Sequence, residues 1–355
     1  MEDLGSFLVA PGDSIRAVME CIDRNGKQIA LVVDDQRRLL GTLTDGDIRR
    51  AILAGTPLEA PATALLQRRA AGQRLVPLTA PAATPVPELL QLMTEYAVRH
   101  IPLVDAQRRV VDVAILSDIV GEYREPLHAV VMAGGYGTRL RPLTEDLPKP
   151  MLPMGDRPLL EHIIGRLQEA GIKRVNLSTH YKEELIKTHF QDGHDFGVEI
   201  EYLKENEPLG TAGALGLMAA ENEPFLVMNG DILTRIDFRA MLDFHREQEA
   251  AMTVAVRCYE HRLPYGVVET AGVEIRRVDE KPAYRHFVNA GIYLVEPTVC
   301  RYVPRGQKCD MPDLIALMVK DGRRVVAFPV REYWLDIGRM EDYRQAVADV
   351  LSGAA

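Results

Sequence analysis

An internal repeat constrains this chain more than any other feature. The stretch VVDDQRRLLGTLTDGDI (residues 32–48) returns in altered form as LVDAQRRVVDVAILSDI (residues 103–119). Asp34 recurs as Asp105, Gln36-Arg37-Arg38 as Gln107-Arg108-Arg109, and Asp47-Ile48 as Asp118-Ile119, always at an offset of 71 residues. Each copy begins with a helical pattern, SIRAVMECID and PVPELLQLMTEYA, whose apolar residues fall near i, i+3, i+4 and i+7. Two short apolar strands follow, joined by a polar turn at Asp35–Arg38 and Ala106–Arg109, and a further helix is expected to start at each Asp-Ile pair. A unit of about 60 residues buries little core alone, so the two copies are expected to pack as a pair.

The repeat resembles a tandem CBS module spanning residues 1–125, with copies at about 1–60 and 70–125. The stretch Gly41-Thr-Leu-Thr44-Asp-Gly-Asp47 carries most of the resemblance. In that family a Thr and an Asp three residues later hold the ribose of an adenine nucleotide, which here implies Thr44 and Asp47. The second copy keeps Asp118 but has Ile115 in the place of Thr44, leaving at most one equipped site. Asp47 and Asp118 can equally be helix N-caps, a common use of Asp.

The chain has 355 residues, enough for two or three domains, and a formal charge of −9. That charge argues against nucleic acid as a partner, since phosphate backbones select basic faces. No apolar run approaches the roughly 20 residues that span a bilayer, so no membrane association is expected. The N-terminus lacks the basic and apolar regions of a secretory signal. Four scattered cysteines form no CxxC pair, which fits reduced thiols in a cytoplasmic protein. A homo-oligomer is the expected assembly.

Past Gly121–Pro126, a short polar boundary, the pattern changes. Leu127–Met132 reads as a buried strand and runs into Ala133-Gly134-Gly135-Tyr136-Gly137-Thr138-Arg139-Leu140. Glycines let backbone N–H groups approach a phosphate closely. The loop is neither a Walker A motif nor a GxGxxG turn. Pro142-Leu-Thr144 and Pro148-Lys149-Pro150 follow, so two cations, Arg139 and Lys149, stand at a set distance beside the loop. That pairing suits a triphosphate. Further on, the apolar run from Phe225 ends at Asn229-Gly230-Asp231, and Trp334-Leu335-Asp336 offers a second carboxylate; hard oxygen ligands of this kind suit Mg²⁺.

In this order the residues resemble the sugar-1-phosphate nucleotidyltransferases, from about His128 to the C-terminus. The implied fold class is α/β, a CBS pair followed by a Rossmann-like, mixed-sheet nucleotidyltransferase domain over 126–355. The resemblance implies Arg139 on the triphosphate, Lys149 at the reacting α-phosphate, and Asp231 with Asp336 as Mg²⁺ ligands. It implies nucleotide contacts at Ala133, Gly134, Gly135, Gly137, Thr138, Glu205, Gly210 and Thr211, the last two opening a helix that runs to Ala220. Gly266, Glu280, Lys281 and Asn289 would form the sugar-phosphate side. His180, His189 and His194 show no ligand spacing and read as surface residues. Glu205 stands where relatives that bind uracil or thymine often carry Gln; an acceptor-only carboxylate suits guanine, and it could also accept a uracil N–H. The implied reaction joins an NTP, GTP favoured, to a sugar 1-phosphate, glucosamine 1-phosphate favoured. Mannose 1-phosphate with GTP and a uridylyl- or thymidylyltransferase are alternatives. A nucleotide-sensing regulatory protein with an inactive transferase domain is the reading from another class.

Overall fold

A computed structural model describes residues 4–67, 76–120, 127–219 and 221–355. The chain divides into two compact units, residues 1–125 and 126–355. The boundary segment Gly121–Pro126 and Ala220 lie outside the described residues.

The first unit repeats one plan twice. Its sheets are Leu8–Val9, Ile29–Val33 and Leu39–Thr44, then Ala80–Pro81, His100–Val104 and Val110–Ile115. In each, the first pair is parallel and the second antiparallel, and the register shifts at matching points, Val32/Val33 and Leu103/Val104. Asp34 accepts from the Gln36 and Arg38 amides at 2.9 Å, and Asp105 accepts from those of Gln107 and Arg109 at the same distance. Val110 and Ile115 of the second repeat bury against Phe7, Ile29, Leu31, Val33 and Leu39 of the first, so the two copies share part of their core.

The closing helices differ from the expected start. The first spans Asp45–Leu53, two residues earlier, with Thr44 as its N-cap and Asp47 reaching back in a capping box. The second begins at Leu116, after an isoleucine that has no capping oxygen.

The second unit is a three-layer α/β structure. Its seven-stranded sheet runs in the order Glu199–Lys204, Arg174–Thr179, Ala129–Met132, Phe225–Asn229, Ala283–Val295, Met252–Arg262 and Val325–Val330. Only Ala283–Val295 runs against the other six. The central strands read as unbroken apolar runs because helices cover both faces. Val130, Val131, Leu226 and Val227 are accordingly fully buried. Two strands outgrow the sheet, at 11 and 13 residues, and their ends at 258–262 and 283–287 are exposed. No helix among the described residues is long and apolar enough to cross a membrane. The helix expected to run to Ala220 is shorter: an α-turn at Gly210–Gly213 passes into a 3₁₀ turn at Ala214–Leu217, and Met218 is extended.

Candidate active site

Three parallel strands deliver their ends to one edge of the large sheet, where open α/β sheets take ligands. Ala129–Met132 leads into the glycine loop, Phe225–Asn229 into Gly230-Asp231, and Glu199–Lys204 into Glu205. Gly230 belongs to the packing: its amide donates to the Met132 carbonyl at 2.8 Å, and a Cβ there would meet that same oxygen.

The loop is shaped from below. Gly137 has φ +63°, and a Cβ there would lie 2.9 Å from Thr144 Cγ2 and 3.1 Å from Lys149 Cβ. The Thr144 hydroxyl donates to the Gly137 carbonyl at 2.9 Å. Gly135 has open space where a side chain would be, so its backbone is accessible to a ligand. Ala133 is buried beneath the loop, and Thr138 is exposed at the start of the short 3₁₀ turn Thr138–Leu140. Arg139 in that turn is exposed, and the described residues give its guanidinium no hydrogen-bond or ion-pair partner.

Lys149 is 8% exposed, and its ammonium contacts Asp231 Oδ2. Asp231 Oδ1 is buried without a hydrogen-bond partner. Asp336 is brought beside it by a two-stranded ladder, Ile232–Thr234 against Trp334–Asp336, in which Ile232 pairs with Asp336. The Ile337 amide donates to the Asp231 carbonyl at 3.0 Å. Loss of hydration raises the Asp336 pKa, as does the neighbouring Asp231 carboxylate, while Lys149 and Arg139 pull it down. Two crowded carboxylates, one with an orphaned oxygen, fit a hard divalent cation completed by ligand oxygens. Among the described residues no group of three or more His, Cys, Asp or Glu side chains could hold a metal alone.

Glu205 is 5% exposed and already engaged. Ser178 Oγ donates to its Oε1, and the Leu209 amide donates to Oε2 at 2.7 Å. A Cβ on Gly134 would come within 3.0 Å of that Oε1. The carboxylate therefore pins the turn that follows it, a use that competes with reading a base. Gly210, at φ +80°, packs against Asp310 and the Cys309 carbonyl. Asp310 accepts from the Thr211 amide at 3.1 Å, and Thr211 Oγ1 accepts from the Met311 amide at 2.8 Å.

Two residues near the loop escaped the sequence reading. His180 Nδ1 lies 2.9 Å from the Glu205 carbonyl, and its Nε2 lies 3.1 Å from the Tyr136 hydroxyl. A carbonyl can only accept, so Nδ1 carries the proton, and in the neutral ring Tyr136 donates to Nε2. His180 thus ties the glycine loop to the turn beyond Glu205.

The remaining candidates lie on and beside the long strands. A Cβ on Gly266 would sit 3.0 Å from Glu280 Oε2, so those two residues are neighbours. Lys281 is exposed at φ +47°. Asn289 Oδ1 accepts from the Gly291 amide at 2.9 Å. In the first unit, Thr44 Oγ1 and its amide both donate to Asp47 Oδ2, at 3.0 and 2.9 Å, while Arg50 holds Asp47 Oδ1 at 2.9 Å. Asp118 is paired with Lys27 at 2.7 Å.

The nucleotidyl transferase profile matches residues 128–353, and the CBS domain profile matches 6–54 and 75–125. The chain belongs to the nucleotidyl transferase family, with a CBS pair ahead of the transferase region. It is similar to a mannose-1-phosphate guanylyltransferase of Mycobacterium tuberculosis, 35% identical over 64% of this chain and 65% of that protein. It is also similar to a UTP–glucose-1-phosphate uridylyltransferase of Synechocystis, 34% identical over 64% of each. The chain thus spans a little under two thirds of the length of these relatives. Among solved structures, HddC of Yersinia pseudotuberculosis complexed with GMP-PN is 25% identical with a TM-score of 0.50, over 63% of this chain and 99% of that one. In this nucleotidyl transferase the matched region takes in nearly the whole second unit.

Proposed function

We propose that the second unit transfers a nucleotidyl group from an NTP to a sugar 1-phosphate, giving an NDP-sugar and pyrophosphate. One observation carries the reading: Lys149 meets Asp231 beside Asp336, and Arg139 stands in the glycine loop close enough to act on the Asp336 charge. The Arg139 side chain has no partner among the described residues. In the reaction, an anionic oxygen of the sugar phosphate attacks the α-phosphorus. The bond from that phosphorus to the bridging oxygen breaks, and pyrophosphate leaves with the electron pair. Arg139 binds the triphosphate, Lys149 stabilises charge at the α-phosphate, and the loop amides of 134–138 cradle phosphate oxygens. Asp231 and Asp336 would hold a divalent cation, Mg²⁺, which when bound supplies charge neutralisation at the phosphates. Gly266, Glu280, Lys281 and Asn289 form the sugar-phosphate side.

GTP is the favoured donor. The guanylyltransferase relative and the GMP-PN complex of HddC support it, and the uridylyltransferase relative keeps UTP as the alternative. Glucosamine 1-phosphate is the favoured acceptor because a CBS pair joined to this transferase region resembles the guanylyltransferases of bacterial amino-sugar pathways. Mannose 1-phosphate is the alternative the relatives support. Pyrophosphate release over a matrix of four NTPs and several sugar 1-phosphates tests the reading. Turnover with GTP and glucosamine 1-phosphate is expected to be fastest. No turnover with any pair would instead support a regulatory protein with an inactive transferase domain. An adenine nucleotide at Thr44 and Asp47 is proposed to act on the first unit, and it must displace the intramolecular bonds those side chains now make.

A further inference from the structure

The Gln-Arg-Arg turns, the feature that reveals the repeat, have no part in the reaction above. In the first unit the two turns meet. Arg38 and Arg109 face one another across an antiparallel bridge, flanked by Leu39 N–H to Arg108 O at 3.3 Å and Val110 N–H to Arg37 O at 2.9 Å. Bonds between the flanking residues make this a non-hydrogen-bonded pair, the closer kind, with Cα atoms about 4.5 Å apart. Like charges directly opposite in such a pair repel. Each guanidinium is steadied by its own repeat, Arg38 Nε on Asp34 Oδ2 and Arg109 Nε on Asp105 Oδ2, both at 2.7 Å. Both Asp carboxyls are held below their ordinary range, first by the backbone N–H bonds from Arg38 and Arg109.

Those bonds use only the Nε edges. Among the described residues the Nη groups of Arg38 have no partner, and Arg109 makes one further bond, Nη2 to Gln107 Oε1 at 3.4 Å. Arg38, Arg109, Gln36 and Gln107 together line a half-open surface pocket of about 380 Å³. The four lining side chains, two guanidiniums and two amides, offer hydrogen-bond donors and no aromatic ring. The pseudo-two-fold arrangement favours a ligand whose two ends are alike.

We propose that this cavity binds a diphosphate-class anion, one phosphoryl end on Arg38 and Gln36 and the other on Arg109 and Gln107. Such an anion would take the Nη edges that Asp34 and Asp105 leave unused, and its site is distinct from that of a nucleotide at Thr44 and Asp47. Pyrophosphate is also the leaving group of the proposed reaction, but the site does not depend on that reaction being right.

The test is titration calorimetry of the full chain with sodium pyrophosphate in EDTA, in an Arg139→Ala background that weakens binding at the catalytic loop. One pyrophosphate per chain is expected. Adding Arg38→Gln and Arg109→Gln should weaken it at least tenfold. Adding Gln36→Ala and Gln107→Ala instead, which leaves both Asp–Arg pairs intact, should weaken it about threefold in a folded protein. Orthophosphate, which can reach only one end, should bind at least tenfold more weakly than pyrophosphate. Pyrophosphate binding that is absent in the Arg139→Ala chain, or unchanged by both pairs of substitutions, overturns the proposal. Equal affinity for orthophosphate overturns it too, because it would mark a basic surface with no two-ended site.

Discussion

Lys149, Glu205, Gly210 and Thr211, on the proposed nucleotide side, are each fixed by a second element of the fold: Asp231, Ser178 with Leu209, and the Cys309–Met311 turn. On the proposed sugar side, Lys281 and Glu280 are exposed, and the described residues give neither a hydrogen bond or ion pair. The difference follows from where each group is attached. Lys149 lies in the 3₁₀ turn Lys149–Met151, Glu205 follows the strand Glu199–Lys204, and Gly210 and Thr211 begin a short α-turn, each tied to a partner. Glu280 and Lys281 instead lie exposed in the link between the strands Glu274–Asp279 and Ala283–Val295. An open sugar side can be altered without disturbing the fold.

If the phosphate side is the catalytic half, its loss should be catastrophic and specific. Asp231→Asn keeps the size of the side chain and removes the charge that faces Lys149 and Asp336. It should lower turnover by roughly two to three orders of magnitude while leaving the circular dichroism spectrum unchanged. Near-normal pyrophosphate release from a folded variant would remove Asp231 from the site and dissolve the contrast between the two sides.

A matched pair of glycines probes rigidity itself. A Cβ on Gly134 and a Cβ on Gly266 would each lie 3.0 Å from a glutamate oxygen, Glu205 Oε1 and Glu280 Oε2 respectively. Glu205 is buried and bonded at both oxygens, so it cannot retreat, while exposed Glu280 can swing aside. Gly134→Ala is therefore expected to cost about 1–3 kcal/mol in denaturant unfolding, as overpacking does. Gly266→Ala should change stability by less than about 0.5 kcal/mol. Equal costs would mean that the sugar side is as locked as the phosphate side.

The repeat, the strands feeding the site and the order of its charged residues were legible because each is local. An offset of 71 residues, an apolar run or a glycine cluster shows itself within a short window of sequence. What was not legible depends on distance along the chain. Thr211 bonds Asp310 across 99 residues, and Tyr136 meets His180 across 44, with no local pattern marking either pair. His180 read as a surface histidine because nothing nearby in sequence announces its bond to the Glu205 carbonyl. Glu205 read as a base contact because its chemistry suits guanine, while the Ser178 and Leu209 donors that occupy it appear only once the strands align. The Thr44–Asp47 spacing was equally readable as a ribose clasp or a helix start, since both uses need a hydroxyl and a carboxylate three residues apart. The start of the helix at Gly210 is tied to Asp310 and the Cys309 carbonyl, a contact from outside the segment that no local pattern marks.

A substitution on the sugar side alone is the most discriminating. Lys281 is exposed, sits at φ +47° just beyond the strand Glu274–Asp279, and has no partner among the described residues. Nothing in the fold depends on its ammonium, so Lys281→Met should unfold at the same denaturant concentration as the parent. A charge-assisted bond to a phosphate contributes about 1.5–3 kcal/mol, of which an exposed site realises the lower end. The KM for the sugar 1-phosphate should rise about tenfold, the equivalent of ~1.4 kcal/mol, while the KM for the NTP stays put. Initial rates with one substrate varied at saturating levels of the other separate these two constants. A rise in both would show that the two substrates share Lys281, and the division into a locked phosphate side and an open sugar side would have to be redrawn around it.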